Sequence, residues 1–158
     1  MNTAKSSQST YKVTIKNSQT GKQQSQDLLR AADGQQAPVR VKAQLGDKYE
    51  LEARQGDQRV APDRVKLKRV GPHLHLMLDD STEAILVVED YFSVMPEGYN
   101  GLIGQVENGN FYEYAAEDIV TTGQASGSTW TWPADGEEMY LVLGDQAVVT
   151  SGAAVGVL

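Results

Sequence analysis

Two histidines, one knot of carboxylates and a few aromatics are the side chains of this sequence best placed to do chemistry. His73 and His75 are the chain's only histidines. Two apart on a strand, they would share one face, where paired imidazoles suit a metal ion. A third ligand is missing at any useful spacing, so the pair reads as solvent-facing and metal-free, opposite Leu74, Leu76 and Leu78. Asp79, Asp80 and Glu83 crowd a tight turn, an oxygen-rich arrangement that could take calcium. No EF-hand loop surrounds them, and turn formation is the ordinary role of such aspartates. Tyr112 and Tyr114 share one face of an alternating strand, and Trp130 and Trp132 share another. Left exposed, these four would form a recognition surface for sugars or partner strands; core packing is the competing role.

Catalytic patterns are missing. No nucleophile elbow, phosphate-binding glycine loop or acid/base pair at an interpretable spacing is present. The absence of cysteine excludes disulfides, Cys-zinc sites and thiol nucleophiles. The expectation is a protein that is not an enzyme, with no catalytic or cofactor-binding residue, calcium being the one cofactor left open.

The elements that would position these residues are short strands. Val65–Arg69, His73–Leu78, Glu83–Phe92, Leu102–Glu107 and Phe111–Tyr114 alternate or run apolar. Gly71-Pro72, Asp79-Asp80-Ser81, Pro96-Glu97-Gly98 and Asn108-Gly109 punctuate them, and Asn-Gly is a strong hairpin signal. Tyr11–Ile15 adds an opening strand, and Leu28–Ala32 could make one helical turn. Val39–Ala43 and Lys48–Arg54 are expected to pair across Leu45-Gly46-Asp47, beginning an up-and-down meander that runs to Glu113. Thr129–Trp132 would be a strand, and Met139–Leu143 with Ala147–Thr150 a last hairpin around Gly144-Asp145. The fold class is therefore all-β: antiparallel hairpins forming a β-sandwich or open barrel, with at most one or two short helical turns. Leu74, Leu76, Leu78, Ile85, Val87 and Ile103 are the expected core.

Residues 1–10 read as a disordered lead, 11–150 as a single β-rich domain and 151–158 as the start of a linker. Up to Arg69, fourteen Lys and Arg against seven acidic residues leave +7; the fourteen acidic residues beyond it leave −14. The cations alternate with apolar residues, as on the wet face of strands, so no nucleic-acid partner is expected. No stretch approaches the roughly 20 apolar residues of a membrane span, so this segment is not expected to insert into a membrane. The opening residues show no apolar run of a secretory signal.

Five stretches together carry a family likeness: Val70-Gly-Pro-His-Leu-His-Leu-Met-Leu78, Asp79-Asp80-Ser81-Thr82, Glu83-Ala-Ile-Leu-Val-Val-Glu-Asp-Tyr-Phe92, Gly101-Leu-Ile-Gly-Gln-Val-Glu107 and Asn108-Gly-Asn-Phe-Tyr-Glu-Tyr114. With the opening Tyr11–Gly21, they resemble the prefix-like N-terminal domain of large biofilm-associated adhesins of Gram-negative bacteria. The likeness covers about the first three quarters of the chain. It departs from the family in its last strand and in Gly152-Ala153-Ala154-Val155, only loosely like the family's protease site. The resemblance implies a non-enzymatic module of a type I secretion substrate, acting in cell adhesion and biofilm formation. Its implied partners are the rest of the adhesin chain and the type I outer-membrane channel. The implied location is the bacterial cell surface and outer membrane, with this module on the periplasmic side. The alternative is a carbohydrate- or calcium-binding β-module.

Overall fold

The computed structural model describes residues 10–28, 38–55, 58–78, 83–105, 111–117 and 131–148. Eleven strands carry almost all of the regular structure there: β1 (Thr10–Asn17), β2 (Gln23–Leu28), β3 (Val39–Lys42), β4 (Asp47–Gln55), β5 (Gln58–Val60), β6 (Arg64–Val70), β7 (His73–Leu78), β8 (Leu86–Glu89), β9 (Leu102–Gln105), β10 (Phe111–Ala116) and β11 (Glu138–Val148). One helical turn, α1 (Tyr91–Val94), follows β8. The fold is all-β: a nearly closed, barrel-like sheet in the order β2-β1-β4-β9-β10-β11-β6-β7-β8-β3, with β5 beside β4.

Local pattern produces the hairpins. β6 and β7 join through Gly71-Pro72, with Gly71 at φ 60, the glycine-first arrangement that a two-residue hairpin loop favours. β9 and β10 pair antiparallel on either side of the Asn108-Gly109 signal, which itself lies outside the described residues. Leu74, Leu76, Leu78 and Ile85 join the main core cluster with Val65, Leu67, Leu86 and Val88. Val87 and Ile103 are fully buried too, but on the other side of the sheet, facing His75 and Glu50 respectively across their ladders.

Distant segments close the sheet, and here local pattern misleads. β3 and β4 do not pair with each other. β3 runs parallel to β8, and β4 lies between β1 (antiparallel) and β9 (parallel). The meander expected from Arg40 to Glu113 survives in pieces, as β4–β5, β6–β7–β8 and β9–β10. The expected strand Glu83–Phe92 is cut to Leu86–Glu89, because Asp90 turns left-handed at φ 64 and the chain coils into α1. Gly144-Asp145 is not a hairpin turn. β11 runs through it, and three β11 residues between Leu143 and Ala147 oppose Glu113 alone, a bulge in the ladder. The proposed helical turn at Leu28–Ala32 is strand at Leu28, and Thr10, expected to close the disordered lead 1–10, opens β1; the rest of both stretches and the expected linker 151–158 lie outside the described residues.

Gly104 on β9 shows how close the packing is. A Cβ there would lie 2.5 Å from the Ala61 Cβ and 3.1 Å from Leu143. Gly104→Ala is expected to lower stability by about 1–3 kcal/mol through overpacking. Urea denaturation measures it; an unchanged midpoint would show that the contact is not rigid.

Candidate functional site

Three of the buried polar residues, Asn17, Asp47 and Asn100, gather with several aromatics where β1 ends and β4 and β9 begin. β1 ends there at Asn17, β4 begins at Asp47, α1 delivers Tyr91 and Phe92, and the lead into β9 supplies Tyr99 and Asn100. Asp47 is 4 % exposed and its carboxylate is fully engaged. Asn17 Nδ2 donates to Oδ1 at 2.7 Å; the Tyr49 hydroxyl and the Gln44 N–H donate to Oδ2, each at 2.9 Å. Asn17 Oδ1 in turn accepts the Gln19 and Thr20 N–H groups. One carboxylate thus ties the β1–β2 turn, the approach to β4 and the core together, which is how a buried charge becomes tolerable.

Tyr99 donates to the Asp47 carbonyl, Tyr91 to the Tyr99 carbonyl at 2.7 Å, and Lys48 Nζ to the Asn100 carbonyl. Asn100, almost fully buried, donates to the Tyr114 carbonyl and accepts the Leu102 N–H. The phenols are held protonated. Burial first, then the Asp47 carboxylate, pushes Tyr99 up to about 12. Burial likewise raises Tyr49, Tyr91 and Tyr114 above the usual phenol range. On the outer face, burial lowers Lys48 and raises Glu113, and each partly offsets the other's shift. These groups bond one another, so the arrangement is suited to holding segments together.

Trp132 completes the cluster, but not in a strand. Thr131 and Trp132 lie in an irregular stretch that ends at Pro133, which has no N–H for a ladder. The indole meets Phe92 edge-on with centroids 4.8 Å apart, and its N–H donates to the Tyr99 carbonyl. Arg69 donates to the Pro133 carbonyl and lies over the Phe92 ring at 4.7 Å, fastening this stretch to the barrel.

Of the four aromatics expected to form a recognition surface, Tyr114 goes to the core and Tyr112 and Trp132 are half-buried. Tyr114 is fully buried and donates to the Pro62 carbonyl. Tyr112 is half-buried on the same inward face, opposite Gly104, while Phe111 and Glu113 take the outer side. Alternation places two aromatics on one face, but it does not say which face is inside. Trp130 lies outside the described residues. An apolar cavity between Leu28, Leu51, Val65, Leu76 and Ile85 measures about 10 Å³, at the threshold for one water molecule, and none of these aromatics lines it.

Of the carboxylate knot, Glu83 is exposed, and Asp79 and Asp80 lie outside the described residues. His73 and His75 are half-buried on the outer face of β7, opposite the buried leucines, so they are less open to solvent than expected. Among the described residues no three His, Asp or Glu side chains gather as a metal-binding group, and no helix is long and apolar enough to cross a membrane. Sequence reading missed Asp47, Asn17 and Asn100. Leu45-Gly46-Asp47 looks like any turn, and burial of its aspartate follows only from the distant pairing of β4. Comparison with protein-family models, curated proteins and solved structures gave no match.

Proposed function

We propose that this chain is the N-terminal anchoring module of a large surface adhesin, a fold that retains the adhesin at the outer membrane during type I secretion and so serves adhesion and biofilm formation. It acts by being folded, without catalysis. The observation that carries this reading is the position of β11, the last described strand. It lies inside the sheet, antiparallel to both β10 and β6. A chain drawn onward beyond Val148 would pull β11 along its own axis, loading the ladders on both sides in shear rather than peeling an edge. The parallel closures β3–β8 and β4–β9, and the Asp47 cluster, tie the remaining strands to one another. Such a unit suits a plug: it stays folded while the unfolded chain ahead of it is drawn through a channel.

The test is a type I secretion substrate expressed with and without residues 10–148 at its N-terminus in a secreting Gram-negative cell. Cell-bound substrate with the module, and release to the medium without it, is the expected result. Equal release would overturn the proposal.

A further inference from the structure

The Asp90 turn carries the only non-glycine residue at positive φ among the described residues, and a histidine holds it. The Asp90 N–H donates to His73 Nδ1 at 3.1 Å. Nδ1 accepts only when it is unprotonated, so the closed turn requires neutral His73. The turn launches α1: the Asp90 carbonyl accepts the Ser93 and Val94 N–H groups, and the Phe92 N–H donates to the Pro72 carbonyl beside His73. Through Tyr91 and Phe92 it sets the aromatic cluster in place.

We propose that His73 and the Asp90 turn form a pH-operated latch, closed while His73 is neutral and released when it is protonated. Protonated Nδ1 becomes a donor, so the Asp90 N–H loses its acceptor and the left-handed turn loses the bond that holds it. Protonation frees the Asp90 N–H whichever acceptor the new Nδ1 donor finds. The Asp90 carboxylate comes within 4.0 Å of Nδ1 through Oδ1, but its Oδ2 is already held by Lys42 of β3 at 3.3 Å. Lys68 of β6, His75 of β7 and Arg40 of β3 stand in one row across the outer face, with Val87 of β8 between the last two. Glu89 is taken by Arg40, and Asp135, from the stretch before β11, is taken by the Gly71 N–H. Acidification therefore adds positive charge to a face that already carries Lys42, Lys68 and Arg40. Burial, then Arg40, His73 and Lys68, lower His75, in keeping with a patch that resists protons. The sign follows from the bond alone: it exists only while Nδ1 is unprotonated, so what it contributes is present with neutral His73 and lost on acidification. The device belongs to the fold itself, whatever the module anchors.

The test is amide hydrogen exchange at Asp90 and Tyr91 from about pH 7.5 to about pH 5, corrected for intrinsic rates, beside the NMR titration of the His73 ring. Protection in the native chain is expected to fall by about tenfold or more, with the midpoint of the His73 titration. In His73→Gln the Oε1 can still accept the N–H and does not titrate, so protection should stay flat; in His75→Gln the transition should remain. Protection independent of pH in the native chain, a midpoint apart from that of His73, or the same fall in His73→Gln would each overturn the latch.

Discussion

Leu76→Asp is expected to cost on the order of 4–5 kcal/mol and to leave the module largely unfolded. Leu76 is fully buried at the centre of β7, between Leu67 of β6 and Leu86 of β8. The substitution removes packed methyl groups and places a carboxylate where the neighbouring core side chains are apolar. A typical domain has roughly 5–15 kcal/mol of stability, so one such change takes a large share of it. Loss of the cooperative urea transition, or a midpoint near zero denaturant, is the readout. A midpoint close to that of the native chain would mean that β7 is not the core strand its register indicates.

Asp47→Ala is the second large effect. It leaves the Tyr49 hydroxyl and the Gln44 N–H without their acceptor and Asn17 Nδ2 with the Leu45 carbonyl alone. An orphaned buried donor costs about 1–3 kcal/mol, so a total of roughly 3–5 kcal/mol is expected after partial rearrangement. In a chain of this size that lowers the melting temperature by about 6–20 °C. Tyr49→Phe removes one donor and leaves the carboxylate with two, so its loss should be clearly smaller. Equal melting temperatures for Asp47→Ala and the native chain would show that the cluster decorates the fold rather than holding it.

Much of the sheet was legible. Period-two runs flanked by Gly71-Pro72 and Asn108-Gly109 marked the strands and hairpins, since side-chain alternation and left-handed turn residues are local properties. The closures were not legible. Val39–Lys42 reads the same whether it pairs with β4 or, as it does, with Leu86–Glu89 more than forty residues on. Gly144-Asp145 has the composition of a turn yet forms a bulge, because β11 resumes its pairing with β10 at Ala147 and Val148. At the candidate site, the aromatics were visible as types but not as a cluster. Trp132 reaches Phe92 because distant residues, Arg69, Gly71 and Tyr99, hold the stretch around Pro133.

The central claim is that the fold itself retains the adhesin, and the cell-bound fraction of a secreted adhesin carrying this module measures it directly. Three versions should be compared: native, Leu76→Asp and Lys68→Gln, the last altering a half-buried lysine on the outer face of β6. If folding retains the chain, the native and Lys68→Gln adhesins stay on the cells and Leu76→Asp appears in the medium. An unfolded Leu76→Asp module that kept its adhesin fully attached would contradict the account.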